Sequence, residues 1–100
     1  MIIYNVTIKV DPSIHERWLQ WMKTEHMPEL LATGCFYECK LMHLFEQDDE
    51  EGITYAAQYF ARNMEQYETY INDYAPVMMQ KSLALFGGLF VAFRTVMRVV

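Results

Sequence analysis

The sequence lacks the features that announce most functional classes. Positive charge is scarce: eight Lys and Arg stand against 13 Asp and Glu, for a formal net charge of −5. A chain this acidic has no basic surface to attract a phosphate backbone, so nucleic acid is excluded as an expected partner. No uninterrupted apolar stretch approaches the ~20 residues of a membrane span, and no membrane partner is expected. The first ten residues carry neither a basic leader nor a small-residue cleavage site, which predicts no signal peptide. Cysteine is limited to Cys35 and Cys39. On one strand they would share a face but lie about 13 Å apart, beyond disulfide reach. Two reduced thiols predict a cytoplasmic protein.

Chemical signatures are equally sparse. There is no Cys/His zinc spacing, no dinucleotide or phosphate-cradling glycine loop, and no Ser-His-Asp or Cys-His arrangement. Gly87-Gly88 follows a helical segment, the wrong side for binding phosphate at a helix start. The acidic run 47–51, followed by Gly52, lacks the alternating oxygen ligands of a calcium loop and predicts a solvated hairpin tip. Neither a metal nor a cofactor is expected.

What is present is a dense apolar chain of 100 residues, 53% hydrophobic and 15% aromatic. That length predicts one domain over 1–100, and the load predicts that some apolar surface faces another subunit. Residues 2–10 alternate, with Ile2, Tyr4, Val6, Ile8 and Val10 on one side, as a half-buried strand requires. Asp11 and Pro12 suit the cap and first position of a helix. Ile14, Trp18, Trp21, Met22 and Glu25 then form a helical stripe. Pro28 predicts a break or kink near Met27, and Gly34 a C-cap.

Residues 35–47 predict a long extended segment, and 53–61 a strand pairing back as a hairpin. Asn63 with Gln66 makes a capping-box start. The second helix carries the stripe Tyr67, Tyr70, Ile71, Tyr74, Met78 and Leu85, with a break near 72–75 imposed by Pro76. Residues 89–99 predict a last strand. The order β-α-β-β-α-β predicts an α+β ferredoxin-like fold, a four-stranded antiparallel sheet with two helices on one face.

Two helices cover one face. The best-fitting assignment puts Tyr4, Val6, Ile8, Val91, Phe93 and Thr95 beneath them. The other face then collects Asn5, Thr7, Gln58 and Arg94 with Ile3, Phe90 and Ala92. So mixed a face predicts a homodimer through the helix-free side.

Five residues stand out as candidate ligand contacts: Trp18, Glu25, His26, Tyr55 and Arg94. His26 at a helix end is either a general base or ligand contact at a pocket mouth, or a histidine interacting with the helix dipole. Glu25 on the apolar stripe either finds a partner, such as Arg94 or Lys81, or emerges at the end of the helix. Arg94 within an apolar strand is either part of an ion pair or an anion clamp. Trp18 supplies aromatic area at helical spacing, and Tyr55 belongs to a tyrosine-rich layer with Tyr59, Tyr67, Tyr70 and Tyr74. His43 reads as an exposed or hydrogen-bonded strand residue.

Residues 21–34, WMKTEHMPELLATG, with His26, Pro28 and Gly34, resemble the first-helix ending of EthD-like and antibiotic-biosynthesis-monooxygenase-like members of the dimeric α/β-barrel superfamily. The whole chain, from MIIYNV at 1–6 to VAFRTV at 91–96, is similar to a family of short bacterial proteins known only as a domain of unknown function. The resemblance implies the fold and a dimer of two sheets packed together, with no established activity. No set of Asn and Trp positions maps onto the cofactor-free monooxygenases, and no haem-ligand position appears. Three functions follow as expectations: a structural or small-molecule-binding homodimer, a cofactor-independent monooxygenase- or isomerase-type enzyme, and a regulatory protein-interaction module.

Overall fold

The computed structural model describes residues 1–45 and 50–100. Most of the expected acidic hairpin tip therefore lies outside the described residues. Strands β1 (Ile2–Val10), β2 (Glu38–His43), β3 (Ile53–Ala61) and β4 (Phe90–Arg98) form one sheet in the order β2-β3-β1-β4. Every pairing is antiparallel, which gives the ferredoxin-like topology expected from the element order. Among the described residues, no helix is long and apolar enough to cross a membrane.

The alternation along β1 translates directly into burial. Ile2, Tyr4, Val6, Ile8 and Val10 all lie in the core. Their β3 partners on the same face are Ala61, Tyr59, Ala57, Tyr55 and Ile53. Over this face pack Trp18, Met22, Met27 and Leu30 from the first helical unit and Tyr70, Met78 and Phe86 from the second. Burying a side chain of this size contributes on the order of 1.5–3 kcal/mol.

The first helical unit begins with a 3₁₀ turn, Pro12–Ile14, capped by the Asp11 carboxylate, which accepts from the Ser13 N–H at 2.9 Å. A second bond from the Ser13 hydroxyl at 2.7 Å, together with that one, holds the Asp11 pKa below its ordinary value. Helix α1 (His15–Trp21) then leads into a π-helical turn, Met22–His26, and helix α2 (Met27–Ala32). The expected break at Pro28 is thus replaced by a widened turn. A proline in an α-helix clashes with the carbonyl four residues earlier and gives it no N–H. Opening one turn to a π spacing, in which the Met27 N–H bonds to the Met22 oxygen, lets the backbone run on to Pro28 in the first turn of α2. Gly34, at φ 78°, ends the unit in the left-handed region.

Asn63 caps helix α3 (Met64–Asp73), its side-chain oxygen accepting from the Gln66 N–H at 2.9 Å. The chain breaks at Tyr74 and resumes as helix α4 (Ala75–Phe86), with a proline in its first turn. That break resets the helical phase. Phe86 is buried and Leu85 is half exposed, the reverse of a stripe run straight through Pro76.

Strand β4 faces the other way from the sequence-based assignment. Its register against β1 sets Val6 opposite Arg94, Ile8 opposite Ala92 and Val10 opposite Phe90. Phe90, Ala92 and Arg94 therefore lie on the helix side. Val91, Phe93 and Thr95 lie on the open face with Ile3, Asn5, Thr7 and Gln58. Both sides of β4 carry large apolar residues, and Arg94 and Arg98 give the helix side the look of an open one; a shift of one residue exchanges the faces.

Candidate functional site

The helices cover β1 and β3 and leave part of β4 bare. Between them lies a cleft of about 260 Å³. Its floor is Tyr4, Val6 and Ile8 of β1 with Phe90 and Ala92 of β4, and Arg94 of β4 stands at its edge. One wall is Trp18, Trp21, Met22, His26 and Leu30; the other is Met78, Met79, Ser82 and Leu83 of α4. Concave, mainly apolar and supplied with a few polar tips, the cleft has the make-up of a small-molecule site.

The π turn decides which polar residue reaches this cleft. Ideal α spacing from Trp18 and Met22 admits both Glu25 and His26 to the inward stripe. The extra residue of the π turn advances the stripe by one, so His26 turns inward and Glu25 is exposed. Such turns recur at functional sites. Glu25 therefore neither lines the cleft nor pairs with Arg94 or Lys81. Lys81 instead pairs with Glu29 at 2.7 Å, on the outer side.

The His26 ring stacks on Trp21, with centroids 4.5 Å apart and planes at 21°. Its Nδ1 is buried and has no hydrogen-bond partner among the described residues. Burial lowers its pKa from 6.5 to about 4, with Glu29 opposing and Lys81 and Arg94 reinforcing that shift. At neutral pH the imidazole is uncharged. This corrects the helix-dipole alternative: His26 lies inside a continuing helical unit and carries no charge to offer a helix end.

Arg94 stands at the exposed rim, its Nε donating to the Tyr4 hydroxyl at 3.1 Å. Among the described residues no carboxylate pairs with it. The Tyr4 pKa is raised by burial, an effect that Arg94 partly offsets, so the phenol keeps its proton. Tyr4 was legible only as a core residue. Its polar role follows from the register that sets Arg94 beside it.

Of the five candidate residues, Trp18, His26 and Arg94 come together in the cleft, while Glu25 and Tyr55 do not line it. Tyr55 lies beyond Trp18, their rings 5.2 Å apart. There it is bonded to His15 Nε2 at 2.6 Å and stacked with His43. The tyrosine-rich layer is accordingly divided. Tyr4, Tyr59, Tyr67 and Tyr70 surround one another near Phe36, and burial raises the phenol pKa of Tyr59 and Tyr70. Among the described residues, no group of three or more His, Cys, Asp and Glu could hold a metal ion. Cys35 and Cys39 are both free thiols.

The fold and the cleft together define a ferredoxin-like α+β protein with an apolar pocket between its helices and its sheet. The chain belongs to the family described as Domain of unknown function (DUF4286), which matches residues 1–100. No curated protein matches the sequence. Among solved structures, an ethyl tert-butyl ether d (EthD) family protein from Bacillus halodurans is similar with a TM-score of 0.67 at 9% identity, over 100% of both chains. A dimeric ferredoxin-like protein from an uncultured marine organism is similar with a TM-score of 0.66 at 11% identity, over 99% of this chain and 94% of that one. At such identities the likeness extends to the fold alone.

Proposed function

We propose that this protein is a cytoplasmic homodimer that binds a small molecule in the cleft between α1, α4, β1 and β4. The observation that carries this reading is the His26 Nδ1 nitrogen, buried without a partner in the wall of an apolar cleft. An unmatched buried polar atom costs about 1–3 kcal/mol, and a ligand that bonds to it would recover much of that. The free thiols fit a reducing compartment. The dimer contact is the helix-free face, where Phe93 is 67% and Val91 53% exposed beside the polar Thr7 and Gln58. A structural relative is described as dimeric, in keeping with that reading.

Catalysis by His26 as a general base is the weaker reading. A base whose conjugate acid has a pKa of about 4 lies far from the optimum near the working pH. Binding therefore takes precedence over proton abstraction.

A thermal-shift and NMR screen of small aromatic and aliphatic metabolites tests the ligand reading. Binders should move the resonances of Trp18 and Trp21, both of which line the cleft. A screen that leaves every cleft resonance in place would refute it.

A further inference from the structure

The cleft carries one charge, at its exposed rim, that no carboxylate among the described residues matches. Arg94 is the only Lys, Arg, Asp or Glu among the lining residues. The other charged groups that act on His26 are Glu29 and Lys81, and those two pair with each other at 2.7 Å. With Nε committed to Tyr4, the two terminal nitrogens of the Arg94 guanidinium form a free edge. That edge matches the two oxygens of a carboxylate. The Tyr4 hydroxyl accepts from Arg94 and so retains its own proton as a third donor. Buried beside an arginine, this phenol remains un-ionised and cannot repel an anion.

The size and sign of the ligand follow from the same walls. A cavity of roughly 150 Å³ accommodates benzene. The 260 Å³ here scales to on the order of ten non-hydrogen atoms, a ring or branched chain with one short polar end. A single guanidinium balances a single negative charge. A phosphate dianion would be left with uncompensated charge in a chain of net charge −5, and a cation would face Arg94 with no carboxylate in the lining to meet it.

Resting on the reading of the cleft as a ligand site, we propose that its ligand is a small apolar monocarboxylate. Its carboxylate is held by Arg94 and Tyr4, and its body lies against Trp18, Met22, Leu30 and Met78. His26, neutral and unpaired at Nδ1, then bonds to a hydroxyl or carbonyl on the body of the molecule.

The test uses the full chain with 3-phenylpropionate and its neutral counterpart 3-phenylpropanamide as probes, followed through the indole N–H signals of Trp18 and Trp21. The acid is expected to bind at least tenfold more tightly than the amide, and Arg94→Gln to erase that difference. Equal affinity for acid and amide in the unmodified protein overturns the monocarboxylate assignment while leaving a small-molecule site intact. Silence from acid, amide and benzene alike at millimolar concentration overturns the site itself. The acid-to-amide ratio needs no substitution, so it decides the matter even where Arg94→Gln fails to fold. Tyr4→Phe, which deletes one donor and leaves the ring, is expected to lower the ratio without abolishing it.

Discussion

Arg94 and Tyr4 are joined diagonally across two neighbouring strands, the guanidinium Nε donating to the phenol oxygen at 3.1 Å. The pair exists because Val6 is the direct opposite of Arg94 and Val96 that of Tyr4. Diagonal neighbours on one sheet face lie within reach of long side chains. Tyr4→Phe removes this bond and keeps the packing. It should lower stability by about 1 kcal/mol, read as a reduced urea midpoint with unchanged slope.

His26 makes stability depend on pH in a defined direction. Its folded pKa, about 4, lies below its ordinary 6.5 because burial opposes the charged form. The unfolded chain therefore binds a proton first. The contribution is fully present above pH 6.5, declines as pH falls towards 4, and is lost below that. At about 1.4 kcal/mol per pH unit the total is on the order of 3 kcal/mol. Urea unfolding at pH 7.5 and 4.5 should show a larger acid loss in the unmodified protein than in His26→Gln, since the carboxylates titrate in both. Equal losses would remove His26 from the account.

The ion pair of Glu29 and Lys81 looks strong at 2.7 Å, yet its side chains are 36% and 49% exposed. Solvent screening and side-chain entropy hold such pairs to about 0.2–1 kcal/mol. A double-mutant cycle with Glu29→Gln and Lys81→Met should return a coupling in that range, fading in 1 M salt.

Asn63 closes the start of α3 through one bond to the Gln66 N–H. Asn63→Ala leaves that donor without a side-chain partner and should cost about 1 kcal/mol. Thermal unfolding monitored by circular dichroism measures it. Replacement by Asp, which keeps the acceptor, should restore most of the loss.

Phe93 is the most exposed aromatic of the open sheet face. In the proposed dimer a Phe93→Glu chain carries a charge into a sheet-to-sheet contact, where desolvation opposes it. Light scattering at micromolar concentration should return a dimer for the unmodified chain and a monomer for the variant. A monomer in both would contradict the proposed contact.

Much of the framework was legible because it depends on local chemistry. The Asn63 cap, the break ahead of Pro76 and the Gly34 stop each follow from what a side chain or backbone can do within a few residues. The covered face of β1 was legible too, because Asn5, Thr7 and Lys9 contrast with their apolar neighbours. In the candidate site, Trp18 and His26 were within reach of the same reasoning. Tyr55 was separated from the cleft by Trp18 itself, and no spacing along the chain reports which side of a ring a neighbour occupies.

The sequence by itself determined the six-part order, the element types and the one-sided cover, since periodicity, caps and prolines act over single turns. Tertiary structure alone decided the polar make-up of the cleft. The π turn ahead of Pro28 turned His26 inward and left Glu25 exposed, a choice that α periodicity, which admits both, leaves open. Strand β4, with large apolar residues on both sides, took its phase only from pairing with β1. That register carried Arg94 off the open face and to the rim of the cleft, beside Tyr4.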